Sequence, residues 1–505
     1  MTNRSRRLSS ALTLGLLASL TAHAQDSTPP DGSLRRHDAL ITLDYQKIKV
    51  PGDAPIDFMG FHLYHPVGER LHLGAGVYAP LVHGGYGGFM AFDLGAYLRQ
   101  PISGPLFATA GLSAGGGGGG RSIAQSKVLS GTGGFVKGHV GLGWDFGRFA
   151  VGVNAAKVKF RSSAIDSTQA NLFVEIPYSY LTGPFASQGT PLSAADERRA
   201  AAEVGENMLT VTLDNYRQSS PQGNFKGTLR LADLQYAHFF APDTYWFGAI
   251  GVGYRGLPIY NQVLGGVGQR WRVAPNWALY GQLGLGSGGY SPEQIDTGPG
   301  LLVYPKLSAE YALSPTLGLS LSVGHMSAPK ASSRNTTYGL ALTHHLRPSR
   351  AGDEGPSHWQ GFRVSLFHQT DFKLVYRDIA RPPLQMIGIQ VDTPLNERWY
   401  VPVQAAVAYN AYLGYPGYGE LLTGLGLQSR AAASDRWQWF GQAMVGANVH
   451  GTAAKASGGV RYILDDQMSL SLNLGRLEAR SSAGRRFSAD TVGLGVDYRF
   501  STPTR

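Results

Sequence analysis

Residues 492–500 read VGLGVDYRF and alternate between large apolar and small or polar side chains. The even-numbered residues are Val, Leu, Val, Tyr and Phe, and the odd-numbered residues are Gly, Gly, Asp and Arg. Successive side chains of a β-strand point to opposite faces, whereas a helix with its period of 3.6 residues could not collect the large ones on one side. The same alternation recurs at 71–78, 136–146, 317–324 and 468–474. The chain is therefore predicted to be all-β, with strands that each have one apolar face.

The first 24 residues have the pattern of a secretory signal peptide. Three arginines lie within the first seven residues, the apolar run LTLGLLASL follows at 12–20, and Ala22-His23-Ala24 fits a cleavage site. The apolar run is too short to span a membrane as a helix. The mature chain is therefore expected to begin at Gln25, with 25–37 as a periplasmic N-terminal segment. A retained membrane anchor is the alternative.

The composition excludes several classes of protein. None of the 505 residues is a cysteine, which excludes disulfides, thiolate metal sites and cysteine nucleophiles. Every apolar stretch after residue 25 is interrupted by Gly, Pro or a charge before about 18 residues, the length that a transmembrane helix needs. In lipid only helices and closed barrels satisfy every backbone polar group, so the chain is either a secreted β-protein or a membrane barrel.

Aromatic residues favour a membrane barrel over a secreted β-sandwich, which is the alternative. The chain has 25 Tyr, 21 Phe and 8 Trp, and tryptophans lie at the ends of predicted strands. These tryptophans are Trp246, Trp271, Trp277, Trp399, Trp437 and Trp439. Girdles of aromatic residues at the membrane interfaces are typical of outer-membrane barrels. The strand at 492–500 also resembles the closing strand of that class, which commonly ends on an aromatic residue. The resemblance implies an outer-membrane location and insertion by the barrel assembly machinery.

An internal repeat determines the predicted number of strands. Three units share a pattern of about eight strands with Gly/Tyr-rich stretches between them. The predicted divisions are repeat 1 at 38–180, a loop with a short helix at 181–206, repeat 2 at 207–346, a loop at 347–360, repeat 3 at 361–500 and a tail at 501–505. The total of about 24 strands fits one wide transmembrane antiparallel β-barrel, which is the favoured architecture. Three tandem eight-stranded barrels are the alternative.

Two segments between strands carry more specific expectations. Residues 115–120 are six consecutive glycines, and they are interpreted as a flexible loop because no helix is expected after them. The segment SAADERRAAAEVGEN at 193–207 predicts a helix, with Ser193 and Asp196 resembling a capping box. This helix is either solvated or a small plug or docking element.

The charge and the predicted lumen suggest a function in transport. More than about 16 strands enclose a channel or a plugged lumen. The lumen-facing positions are rich in Gly, Ser and Asn, and the formal net charge is +10. The sequence therefore predicts a wide translocation conduit, or a component of an export apparatus, for a large anionic substrate such as polysaccharide. Outer-membrane lipid, lipopolysaccharide and periplasmic export proteins are the expected partners, and nucleic acid is not. A purely structural barrel or partner scaffold is an alternative.

One segment raises an enzymatic alternative. In GHMSAPKASSRNTTYGLALTHHL, residues 324–346, His325 and Ser327 share the predicted lipid-facing side of their strand. The segment resembles the active-site region of the lipid A 3-O-deacylase family, which implies a lipopolysaccharide esterase with His325 and Ser327 as catalytic residues. Ala328 stands where the family has Asn, and no acidic residue lies between Ser327 and Arg350. A polar pair at the membrane rim is the other interpretation. No cofactor or metal site is expected.

Overall fold

The computed structural model describes residues 34–504 except 121–122, 204–205, 220, 259, 292, 315, 347–356, 431–435 and 482–483. The predicted signal peptide at 1–24 and most of the predicted segment at 25–37 lie outside the described residues.

The described strands fall into three groups. Barrel 1 consists of β1 (Arg35–Ile48), β2 (Ile56–Pro66), β3 (Leu71–Pro80), β4 (Met90–Ser103), β5 (Leu106–Gly118), β6 (Gly134–Asp145), β7 (Ala150–Phe160) and β8 (Asp166–Thr182). Barrel 2 consists of β9 (Asn207–Gln218), β10 (Leu229–Ala241), β11 (Thr244–Arg255), β12 (Asn261–Ala274), β13 (Trp277–Gly289), β14 (Leu301–Ala312), β15 (Leu317–Ser327) and β16 (Arg334–Leu346). Barrel 3 consists of β17 (His358–Tyr376), β18 (Ile379–Ala380), β19 (Leu384–Pro394), β20 (Trp399–Ala408), β21 (Gly419–Gln428), β22 (Trp437–Asn448), β23 (Gly451–Ile463), β24 (Met468–Arg480) and β25 (Arg486–Thr504).

Each group closes on itself as an antiparallel barrel. β1 pairs with β8, β9 with β16, and β17 with β25. The two-residue β18 only extends the hairpin of β17, so barrel 3 also has eight wall strands. The three eight-strand repeats are confirmed, and the architecture is the tandem alternative. The single barrel of 24 strands is wrong, because the first strand of each repeat pairs with the last strand of the same repeat.

The two ends of the barrels differ in the length of their connections. At the end where β1, β9 and β17 begin, adjacent strands are joined by short turns such as 67–70 and 104–105. At the other end most connections are longer, for example 81–89 and 119–133, although β22 and β23 are joined there by only two residues, 449–450. We call these ends the short-turn face and the long-loop face. The described N- and C-terminal strands begin and end, respectively, at the short-turn face.

Several boundaries differ from the sequence interpretation. β1 already begins at Arg35, and β25 runs to Thr504 through most of the predicted tail. The glycines at 115–120 are not a flexible loop: β5 continues to Gly118, and helix α1 (Ile123–Ser130) follows. Backbone pairing to β4 and β6 holds the glycines at 115–118 in place.

The connection between barrels 1 and 2 contains the predicted helix. Helix α2 (Ala194–Glu203) follows Ser193, whose Oγ accepts a hydrogen bond from the backbone N–H of Asp196 at 3.1 Å. Ala200 of α2 packs in a buried cluster with Leu34, Leu181 and Trp359 at the short-turn face. The helix therefore docks where barrels 1 and 3 meet. Neither helix in the described part of the chain is both long enough and apolar enough to cross a membrane.

The outer walls of the barrels are apolar. Val140, Leu321 and Leu474 lie in the middle of their strands, yet their side chains are 62%, 67% and 62% exposed. Contiguous exposed apolar surface of this kind is stable against lipid and unstable against water. All eight tryptophans lie at the short-turn ends of strands, and seven of them face outward. Their positions form a tryptophan girdle at one end of the apolar band only.

The three barrels contact one another through equivalent strands. The third strand of each barrel packs against the fifth strand of the next, in the pairs β3 with β13, β11 with β22, and β20 with β5. Loops add backbone hydrogen bonds, including Gly87 N–H to Gly298 O at 2.8 Å and Leu301 N–H to Leu81 O at 3.0 Å. Head-to-tail contacts that close produce a ring. The chain is therefore a ring of three barrels with a pseudo-threefold axis, and the fourth strands β4, β12 and β21 face this axis.

Candidate functional site

A lysine from the sixth strand occupies the lumen of each barrel. These residues are Lys137, Lys306 and Lys455, and their side chains are 4%, 10% and 2% exposed. An acidic partner lies beside each of them: Asp44 contacts Lys137, Asp214 lies 4.0 Å from Lys306, and Glu420 lies 3.7 Å from Lys455. We call these three pairs the lysine layer. A buried ammonium group needs such a partner because desolvation otherwise opposes its charge.

A second layer of ion pairs lies nearer the short-turn face. In barrel 1 the Arg99 guanidinium donates to Glu175 at 3.0 Å, and in barrel 2 that of Arg270 donates to Glu206 at 2.6 Å. Both arginines lie on the fourth strand of their barrel. Barrel 3 differs, because Arg363 and Arg461 on its first and sixth strands share Asp392 at 2.9 and 3.2 Å. We call these contacts the arginine layer.

Inward-facing glycines make room for these layers and for aromatic rings. A Cβ on Gly76 would come within 2.0 Å of the His62 ring, and one on Gly426 would come within 2.1 Å of the Tyr400 ring. Large side chains of neighbouring strands therefore fill the space that the glycines leave. The predicted wide and weakly charged lumen is wrong for this reason: glycine-rich walls here surround a filled interior, as expected for eight strands.

The connection after barrel 1 covers the short-turn mouth of barrel 3. The Phe185 ring lies 5.7 Å from the guanidinium carbon of Arg363 and 5.4 Å from that of Arg499. The backbone N–H of Phe185 donates to Asp466 at 3.1 Å, and the Ser501 and Gly183 backbones exchange two hydrogen bonds at 2.8 and 3.0 Å. The linker therefore covers the short-turn end of barrel 3 and also connects barrels 1 and 2.

Positive charge is concentrated on the long-loop face. Among the described residues, 16 exposed Lys and Arg side chains lie at that face against 4 exposed Asp and Glu, whereas the short-turn face has 9 against 5. The basic residues of the long-loop face are Lys47, Lys49, Lys127, Lys157, Lys159, Arg161, Arg217, Lys226, Arg255, Lys330, Lys373, Arg377, Arg476, Arg480, Arg485 and Arg486. A surface with this excess attracts polyanions.

One buried histidine of the long-loop face adds no positive charge to it. His450, in the turn between β22 and β23, stacks on Tyr376 with ring centroids 4.3 Å apart. Burial lowers the pKa of His450 to about 4, so it is neutral at physiological pH.

Some of the basic residues extend onto the outer walls just beyond the apolar band. Lys157 and Lys159 on β7, Arg217 on β9, and Arg476 and Arg480 on β24 point outward at the long-loop ends of their strands. We call them the basic collar. Lys157 lies 3.7 Å from Asp166, which also contacts Lys159, so part of the collar is neutralised. The collar and the tryptophan girdle border the apolar band at opposite ends.

His325 and Ser327 lie on the outer wall of barrel 2, near its long-loop end. Both point outward from β15, continuing the side of Leu321 and Val323. In the described part of the chain, no carboxylate lies within hydrogen-bond or ion-pair distance of either side chain. An imidazole without an acidic partner is a poorly oriented base. The catalytic role of the two residues stays a prediction.

Some features of the lumen could have been found in the sequence and some could not. A lysine in the sixth strand of each repeat is visible once the strands are aligned by their order. The partners are not, because Asp44 and Asp214 are on first strands whereas Glu420 is on a fourth strand. Among the described residues, no group of three or more His, Asp or Glu is arranged to hold a metal ion.

Comparisons with solved structures show similarity to membrane barrels at low sequence identity. No protein-family model matches the chain, and no curated protein matches it significantly. A de novo designed transmembrane β-barrel aligns at 14% identity and a TM-score of 0.20, covering 28% of this chain and 97% of that one. The Yersinia pestis outer membrane protein Ail aligns at 16% identity and a TM-score of 0.20, covering 28% and 99%. The FpvAI structure, in complex with pyocin S2, aligns at 10% identity and a TM-score of 0.29, covering 92% and 73%.

These scores are too low to support an argument about function or about the three-barrel ring. The closed antiparallel strands, apolar outer walls and polar interiors of the chain itself identify the architecture. The chain has the fold of outer-membrane β-barrel proteins, repeated three times.

Proposed function

We propose that this protein is an outer-membrane component of a system that exports a large anionic polymer, such as a polysaccharide. It binds the polymer at the long-loop face and does not enclose it in a wide lumen. The observation that supports this proposal is the excess of exposed basic residues at the long-loop face, 16 against 4 acidic residues among those described. Oriented positive charge raises the local concentration of a polyanion and speeds its association.

The orientation follows from the lengths of the connections. Outer-membrane barrels have short periplasmic turns and longer external loops, so the long-loop face is external in this proposal. Insertion then requires a signal peptide and the barrel assembly machinery. The short-turn face, with helix α2, is available to periplasmic export proteins.

A binding experiment in nanodiscs tests the proposal. Polygalacturonate serves as the anionic probe and dextran as the neutral one. We expect salt-sensitive binding of polygalacturonate only. Exchanging Lys47, Lys49, Lys373 and Arg377 for glutamine should weaken it about tenfold or more, since each exposed charge contributes about 0.3–1 kcal/mol. Equal binding of both probes would contradict the proposal.

A matched variant separates the face from the net charge. Arg70, Arg148, Arg398 and Arg436 are exposed at the short-turn face, and their exchange for glutamine removes the same charge. This variant should bind polygalacturonate as the wild type does. If both variants lose affinity equally, the net charge and not the long-loop face is responsible.

The second candidate function is a lipopolysaccharide-modifying esterase. The observation that favours it is the outward position of His325 and Ser327 at the long-loop end of an apolar wall. Mass spectrometry of lipid A from overexpressing cells tests it. A loss of acyl chains with the wild type, absent with His325→Ala, would support the esterase, and unchanged lipid A would remove it.

A further inference from the structure

A cavity of about 180 Å³ lies at the centre of the ring, between the three barrels. Side chains from every barrel line it, including Phe92 and Leu94 of β4, Ile250 and Val252 of β11, Ile389 of β19 and Leu421 of β21. These residues have the outward orientation that faces lipid elsewhere on the barrels. The cavity is therefore bounded by three outer walls and lies outside all three lumens.

The walls of the cavity are mainly apolar and favour an apolar occupant. Two acidic residues border it, yet both point into their own lumens: Asp93 accepts a hydrogen bond from Tyr78 at 2.8 Å, and Glu420 accepts one from Gln404 at 3.1 Å. An apolar cavity of about 150 Å³ stays dry and binds benzene or xenon, so a comparable cavity of 180 Å³ suits hydrocarbon. An empty one would forfeit dispersion contacts along its walls.

Access to the cavity differs at its two ends. Toward the long-loop face, interlocked loops cover it: Asn261 Nδ2 donates to Gly88 O at 3.3 Å, and a Cβ on Gly118 would come within 2.8 Å of Pro416. Toward the short-turn face, the outward residues of the three axial strands are exposed. They are Leu98 of β4 at 42%, Val267 of β12 at 55% and Leu425 of β21 at 46%. The space between the barrels thus opens toward the short-turn end of the apolar band.

We propose that this axial cavity holds an acyl chain of a phospholipid that enters from the membrane leaflet at the short-turn face. The apolar lining recognises the hydrocarbon, and the covered end sets the depth of insertion. The open end leaves the head group at the level of the tryptophan girdle, where aromatic side chains favour the membrane interface. A glycolipid of the opposite leaflet would have to pass the interlocked loops. The inference is independent of polymer binding at the long-loop face.

Native mass spectrometry of the full-length protein in mild detergent tests this proposal. We expect wild-type protein to retain roughly one phospholipid per chain at this site. The double variant Val252→Phe/Ala405→Phe fills the cavity. The two phenylalanine rings take up the volume that an acyl chain would need, so phospholipid occupancy should fall about tenfold. Ala170→Phe, an exposed alanine on the outer wall of barrel 1, is the matched control and should retain the lipid.

Heat-modifiable migration on gels verifies that each variant is folded. If the double variant fails to fold, the single variant Ala405→Phe and the lipid content of the wild type decide the question. Wild-type protein without bound phospholipid, a folded cavity variant that keeps the same lipid, or bound lipopolysaccharide in place of phospholipid would each overturn the proposal.

Discussion

Removing Lys137 should destabilise barrel 1 far more than removing an exposed lysine of the same barrel. The side chains of Lys137 and Asp44 are only 4% and 6% exposed, and Lys137 also donates to the Tyr78 hydroxyl at 3.3 Å. Lys137→Met leaves the Asp44 carboxylate buried without its cation. Breaking a buried ion pair in this way costs about 3–5 kcal/mol of unfolding free energy.

The matched control is Lys159→Met. Lys159 is also on the wall of barrel 1 and also pairs with an aspartate, Asp166, but its side chain is 56% exposed. Solvent screens such a pair, so its loss should cost less than about 1 kcal/mol. The double variant Lys137→Met/Asp44→Asn removes both buried charges. It should recover most of the lost unfolding free energy, because no unpaired charge then remains in the interior.

The assay is urea unfolding in phospholipid vesicles, followed by a fluorophore on barrel 1. The chain has no cysteine, so Glu69→Cys in the exposed turn between β2 and β3 provides one labelling site. Every variant carries the same label, which restricts the signal to barrel 1. Equal, small effects of Lys137→Met and Lys159→Met would refute the reasoning, since they would show that the lumen at the lysine layer is hydrated.

Three further predictions concern the ring as a whole. Because side chains fill the lumens, the protein in planar bilayers should show no stable open-channel conductance, and porin-sized steps would contradict this. A Lys49→Cys variant should react with a membrane-impermeant maleimide on intact cells, whereas Glu69→Cys should react only after permeabilisation; the reverse result would invert the orientation. A Cβ at Gly116 would come within 2.4 Å of the Ala408 carbonyl oxygen, so Gly116→Leu should push barrels 1 and 3 apart and broaden the distance distribution between spin labels on them. Gly85→Leu is the control and should leave the distribution unchanged, because a Cβ there meets nothing within 4 Å.

The strands could be predicted from the sequence, and their closure could not. The alternation at 317–324, for example, lies within β15 and gives the correct outward side. Alternation shows which face of a strand is apolar but contains no information about which strand lies beside it. The contacts of β1 with β8 and of β17 with β25 decide between one barrel and three, and they depend on register between strands more than 100 residues apart.

The filled interior could not be predicted from composition, because composition averages over positions. Inward glycines alone predict an open lumen. At Gly76, however, the His62 ring fills the space that a side chain would need. A few large charged residues and aromatic rings fill the interior of an eight-stranded barrel, and they form a small fraction of its sequence. The outward placement of His325 and Ser327 followed from strand parity alone, whereas the absence of a nearby carboxylate in the described structure depends on neighbouring strands.

The pairing of each third strand with the next fifth strand has a consequence for how the barrels can diverge. In a ring of identical subunits, any substitution appears three times, so a change that suits one position must be tolerated at all of them. Here the three positions are encoded separately, and the arginine layer already differs: Arg99 and Arg270 occupy fourth strands, but Arg363 and Arg461 occupy the first and sixth. One chain also fixes the order of the barrels and their stoichiometry. Each barrel can therefore acquire its own partner surface while the other two preserve the ring.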